Sequence, residues 1–330
     1  MLLRKEEVCP VKPLSIDANG SLNITQTLID ICGFVRGHES IGEGVFLDKY
    51  LQPALTQLGV EYFKDNFGNI YVDSTSKVLY AAHVDTTQQK NKPNIKQSLV
   101  INGNTLGVKR GEGNVLGADD AVGIVVILWL LSNKVDIGAV FLRGEEVGLK
   151  GATYAATNSF SWLSKFDMCI EVDRAGTDEV ITHQSPGRCA SDQYAENLAA
   201  QLGMGHEPSP NGVYTDNSMF DMIPECVNLA AGYVSQHSEN ETCNMGYVVS
   251  LCKSLLDVDY SLLGSHRTEG DDVDGWEDSG WDYDLSNDVP FSTVEEAEAY
   301  VLDNIEAVAL FLYMNYTTPV DIDKTYDKVL

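Results

Sequence analysis

Three short apolar runs each give way to acidic residues or histidine, and this pattern restricts the fold more than any other in the chain. Val78–Val84 (VLYAAHV) closes on His83, Val84 and Asp85. Ile137–Leu142 is followed by Glu145 and Glu146, and Met168–Val172 by Asp173. Runs of this length, bounded by polar residues, read as strands buried on both faces. Such strands belong to a mostly parallel sheet covered by helices. In open α/β sheets, ligands bind beyond the carboxyl ends of the strands. The polar residues at these ends are therefore expected to converge on one site.

The surrounding elements fit that architecture. Residues 23–58 carry helical spacing, punctuated by Gly37 and Gly42. Val60–Ser74 alternates about Phe67-Gly68-Asn69 and predicts a hairpin. Residues 88–114 read as a polar hairpin or loop excursion. Ala121–Ser132, Ser191–Leu202 and Gly246–Leu256 predict helices, and Val180–His183 and Cys226–Val234 predict strands. The expected fold class is α/β: three layers, α/β/α, with a central mixed, mostly parallel sheet. Residues 1–264 are expected to form one domain. In 265–288, nine acidic residues face only Arg267, with Trp276, Trp281 and Tyr283 interleaved. Residues 265–291 are therefore read as an acidic, Trp-containing loop or linker. A capped helix is expected to open at Ser292 and pack on the main domain, within a 292–330 segment.

Charge narrows the partners. Twenty-two Lys and Arg face 49 Asp and Glu, for a formal net charge of −27. Nucleic acid and anionic membranes need clustered basic residues, so neither is expected as a partner. The longest apolar run, Val122–Leu131, falls short of the roughly 20 residues that span a bilayer. The N-terminal MLLRKEEVCPVK lacks the apolar core of a signal peptide. Seven cysteines without a C-x-x-C pair suggest neither a disulfide framework nor a thiolate zinc site. The expected location is the cytoplasm; the sequence carries no sign of oligomeric state.

Five places could supply chemistry: His83-Val84-Asp85, Asp119-Asp120, Glu145-Glu146, Asp173 and His237. Singly, each is more simply a cap, a solvated turn or a loop histidine. Together they form a nitrogen and oxygen donor set suited to zinc, manganese or cobalt. Such a set serves two ions if one carboxylate bridges them, and paired ions of that kind polarise a carbonyl. Of Glu145 and Glu146, one can bind metal while the other moves protons. Asp85 is placed to accept the second N–H of a ligating His83.

These segments resemble the co-catalytic zinc exopeptidases. AAHVDTT is similar to the clan's H-x-D strand and LGADDAVG to its G-A-D-D segment. GEEVGLKGA, Gly144–Ala152, is close to its E-E-x-G-x-x-G-A stretch and is the most specific match. GHES and DNFGNIYV resemble its upstream signatures. The resemblance runs in clan order from about residue 37 to 241. It implies a peptide-hydrolysing enzyme with two divalent ions, zinc foremost and cobalt or manganese as alternatives. His83, Asp119 and Asp173 would hold one ion, and Asp119, Glu146 and His237 the other, with Asp119 bridging. Glu145 would be general base and acid, Asp85 would orient His83, and the Asp119–Asp120 peptide would be cis. Asp216 in YTDNSMF matches a segment near the substrate pocket. Only 64 residues separate Asp173 from His237, too few for the inserted lid domain of peptidase T-like relatives. The layout is nearest the bacterial leucyl aminopeptidases. The expected function is hydrolysis of the N-terminal peptide bond of peptides by a water activated between the metals. The rivals are another amidohydrolase of the clan (dipeptidase, tripeptidase or N-deacylase) and a non-catalytic binding protein on the same fold.

Overall fold

The computed structural model describes residues 14–16, 21–87, 95–109, 111, 114–185, 187–265 and 267. The chain divides into two compact units, Met1–Gly275 and Trp276–Leu330, and all described residues lie in the first. The helix expected within 292–330 and nearly all of the acidic segment 265–291 fall outside the described residues.

The apolar runs become the middle of an eight-stranded sheet. Its order is Phe63–Lys64, Ile70–Val72, Gly138–Leu142, Val78–His83, Met168–Arg174, Glu225–Ala230, Glu179–Ile181 and Glu207–Ser209. Gly138–Leu142, Val78–His83, Met168–Arg174 and Glu225–Ala230 are mutually parallel, so their carboxyl ends share one edge. Antiparallel pairings occur towards both sides of this block. A second, four-stranded antiparallel sheet joins Tyr233–Val234, Thr242–Asn244, Thr105–Val108 and Leu99–Asn102. The polar 88–114 segment thus contributes a hairpin, as its composition suggested.

Alternation along Val78–His83 sorts its side chains into two cores. Val78, Tyr80 and Ala82 join one cluster with the helices Ile24–Cys32, Ala118–Ser132, Asp192–Leu202 and Met245–Leu256. Leu79 and Ala81 join the other with Ala152, Ala155, Trp162 and Leu163. The result is three layers, with apolar side chains on both faces of each central strand. After Asp119 and Asp120 in its first turn, the helix Ala118–Ser132 is apolar all round, and it is buried from Ala118 to Leu131. It packs between the sheet and the helices Ile24–Cys32 and Met245–Leu256, which explains why its sequence lacks an amphipathic period. Among the described residues, no helix is long and apolar enough to cross a membrane.

Candidate metal centre

Three of the four parallel strands deliver polar ends to one place. His83 is the last residue of Val78–His83, and Asp173 lies near the end of Met168–Arg174. Glu145 and Glu146 follow Gly138–Leu142, and His237 lies in the turn between Tyr233–Val234 and Thr242–Asn244. Asp119 enters from the opening turn of the Ala118–Ser132 helix, where the Asp119–Asp120 peptide is cis.

Two donor triads result: His83, Asp119 and Asp173, and Asp119, Glu146 and His237. Asp119 belongs to both, and its two oxygens face different imidazoles. Oδ1 lies 2.8 Å from His83 Nε2 and Oδ2 3.0 Å from His237 Nε2. His83 Nε2 is 3.6 Å from Asp173 Oδ1, and His237 Nε2 is 3.2 Å from Glu146 Oε2. Two ligands of one tetrahedral zinc lie about 3.3 Å apart, given zinc–ligand bonds of about 2.0–2.1 Å. The histidine–carboxylate separations bracket that spacing, and the donors of each triad all lie within 4.8 Å of one another, so these imidazoles and carboxylates fit a pair of divalent ions.

The electrostatics agree. Burial opposes the charge of Asp119, yet hydrogen bonds from His237 and His83 hold its carboxyl well below the usual range. Burial opposes protonation of His83 too, but Asp173 and Asp119 hold its pKa well above the ordinary value. Hydrogen bonds to Asp119 and Glu146 raise His237 to about 11. Asp173 is pushed up to about 6, first by burial and then by Asp119. Burial raises Glu145 strongly; His83 opposes this, while Asp173, Asp216 and Asp119 reinforce it. So many buried carboxylates beside two imidazoles are strained for positive charge, and binding cations there requires protons to leave.

The supporting contacts differ from the simplest expectation at Asp85. His83 Nδ1 donates to the Asp85 backbone carbonyl at 3.1 Å, and the Asp85 carboxylate is 3.8 Å away. That carboxylate instead accepts from the backbone N–H groups of Gly144, Glu145 and Glu146, at 2.7, 3.1 and 3.3 Å. Asp85 therefore fixes the loop that bears both glutamates. Glu146 Oε1 accepts from Thr87 N. Asp173 accepts from Thr215 Oγ1 and Tyr233 Oη, each at 2.9 Å. Asp216 is fully buried, and neither of its carboxylate oxygens has a hydrogen-bond partner among the described residues. Burial and the neighbouring Glu171 hold its pKa well above normal.

The upstream motifs act as braces. Asn69, at the end of DNFGN, takes the Arg143 N–H and donates to the Gly151 carbonyl, gripping both ends of the Glu145 loop. His38, in GHES, packs on Gly144, where a Cβ would lie 2.9 Å from its ring. Sequence reasoning missed Arg36, Glu171 and Glu241. Arg36 is fully buried and donates to the Gly117 carbonyl at 2.6 Å. Glu171 is also fully buried, accepts from Asn217 N, and is raised by burial to about 8. Glu171 sits two residues before Asp173 on the same strand, which was its only signal.

This sheet, with two donor triads that share Asp119 at its carboxyl edge, is similar to those of the co-catalytic metallo-exopeptidases. The model of peptidase family M28 matches residues 68–224, a little under half of the chain. A tripeptidase from Staphylococcus aureus has the same fold at 15% identity and a TM-score of 0.58, covering 71% of this chain and 96% of that one. Aminopeptidase PepT from Bacillus cereus follows at 15% identity and 0.56, covering 71% and 97%. The TET1 peptidase of Pyrococcus horikoshii superposes at 14% identity and 0.54, covering 71% and 98%. No curated protein matches the chain by sequence.

Proposed function

We propose that the protein is a two-metal aminopeptidase that removes N-terminal residues from peptides, with zinc as its metal and the cytoplasm as its location. One observation carries the reading: the carboxylate of Asp119 presents one oxygen to each of two imidazoles, at 2.8 and 3.0 Å. His83, Asp119 and Asp173 would hold one ion, and Asp119, Glu146 and His237 the other. Bound there, the ions would supply Lewis-acid polarisation of the scissile carbonyl and acidify water.

The remaining work falls to the protein's own groups. Glu145 takes a proton from the attacking water and returns it to the leaving nitrogen. Burial holds its carboxyl above the ordinary carboxylate range, which favours keeping a proton long enough to pass it on. Asp85 keeps Glu145 in place through the backbone of its loop. The Asp85 carbonyl fixes the proton of His83 on Nδ1 and turns Nε2 towards the site. The free α-amine of a peptide is cationic, and its approach would favour the charged form of an acid such as Asp216.

The test compares free and N-acetylated forms of the same short peptides, with and without a chelator. An aminopeptidase cleaves only the free forms and loses that activity on chelation. Cleavage of the acetylated forms would show a deacylase or another amidohydrolase instead. Turnover of neither, in metal-replete protein, would leave a binding protein on this fold.

A further inference from the structure

The two donor triads are not built alike. His83 and Asp173 stand on adjacent, hydrogen-bonded central strands. His237 stands on a turn, at φ 59°, with a half-exposed side chain. A triad that includes such a residue needs something to fix the turn against its partners.

Glu241 does this. It lies four residues beyond His237 in the same turn, is 1% exposed, and directly precedes the strand Thr242–Asn244. Its carboxylate accepts three successive backbone N–H groups: Gly117 at 2.9 Å, Ala118 at 2.8 Å and Asp119 at 3.3 Å. These groups open the Ala118–Ser132 helix. Gly117, at its N-cap, is left-handed and supplies no side-chain cap. The first N–H groups of a helix have no partner within it and attract negative charge. Glu241 thus caps the helix from a distant strand. The turn bearing His237 and the turn bearing Asp119 are tied together through one carboxylate.

We infer that Glu241 is a positioning residue that sets the affinity of the ion site formed by Asp119, Glu146 and His237, and leaves the site of His83, Asp119 and Asp173 almost untouched. The inference rests on the two-metal reading above. Loss of the tie leaves Asp119 placed by His83 on its strand, but frees His237 to move away from Asp119. Partners behind metal ligands typically change metal affinity by about 10–100-fold.

The experiment is zinc titration of chelator-stripped protein by calorimetry, wild type against Glu241→Gln, a change of similar size. Wild type is expected to bind two ions. In the variant, one binding event should stay within twofold of wild type and the other should weaken at least tenfold. His237→Ala should abolish the event that Glu241→Gln weakens and leave the other. Two unchanged affinities in Glu241→Gln, or equal weakening of both, would overturn the inference. Wild type binding fewer than two ions would instead overturn the two-metal reading, and this inference with it. Should Glu241→Gln fail to fold, hydrogen exchange on wild type decides the matter. The second zinc equivalent is expected to protect 117–119 and 235–241 together, and protection of 235–241 alone overturns the tie.

Discussion

Glu43 is a carboxylate with no exposed side-chain surface, gripped by Arg143 Nε and Nη2 at 2.9 and 2.8 Å, with His38 at 3.7 Å. Burial acts to raise its pKa, and His38 and Arg143 overrule it, leaving the carboxyl below its ordinary 4.5. A folded pKa below the unfolded one gives stability that is complete above about pH 4.5 and is lost as pH falls through the folded value. Breaking a buried pair costs about 3–5 kcal/mol. Arg143 keeps some solvent, so Glu43→Gln should cost about 2 kcal/mol at pH 7. Urea unfolding from pH 7 to pH 3 should show the gap between wild type and variant narrowing towards acid. A gap independent of pH would remove the ion pair from the explanation. Glu145→Gln tests chemistry rather than stability. Peptide turnover should fall about 100- to 10,000-fold, with the metal content and the unfolding midpoint unchanged. At this scale the sequence was readable at the residues that the fold brings together and opaque at those that brace them. His83, Asp119 and Asp173 stand at element ends that periodicity marks. Glu241 looks like any other acid in an acidic turn, because its burial is created by a helix more than a hundred residues away. The role of Asp85 was half legible: its position beside His83 was plain, but the choice between carbonyl and carboxylate is a matter of geometry.

At the scale of elements, the stretch Gly144–Ala152 shows why a motif can be specific. The chain must leave the strand Gly138–Leu142, place Glu145 and Glu146 at the site, and enter the helix Lys150–Asn158 within a few residues. Gly151 lies so close to the preceding strand end that a Cβ would meet Arg143 O at 2.4 Å and Asn69 Oδ1 at 2.6 Å. Backbone cannot yield there cheaply. Gly151→Ala should therefore destabilise the fold by about 1–3 kcal/mol. It should also lower peptide turnover, because Asn69 and Arg143 anchor the Glu145 loop. Thermal unfolding with steady-state assays checks both, and a variant with wild-type stability would refute the close-packing account. The buried strands and the long apolar helix were legible because burial on all sides leaves an uninterrupted apolar run. The strand Glu207–Ser209 was not. It is three residues long, contains Pro208, and among the described residues pairs with Glu179–Ile181 at the sheet edge, where a missing N–H is tolerated.

At the scale of the whole molecule, the net negative charge bears on how substrate arrives. The chain carries a formal charge of −27, from 22 basic residues against 49 acidic ones. A field of one sign raises the encounter rate for the opposite sign, and salt removes that gain as the screening length shrinks from about 30 Å at 0.01 M to 8 Å at 0.15 M. A peptide with a lysine beyond its free amine carries an extra positive charge relative to its leucine analogue. For the lysine peptide, kcat/KM should fall severalfold between about 0.01 and 0.15 M sodium chloride. For the leucine analogue it should fall less, with kcat nearly constant for both. The comparison within one enzyme separates steering from any general effect of salt on the fold, which would move the two peptides together. Equal salt slopes for the pair would show that the acidic surface serves solubility alone and that recognition begins only at contact.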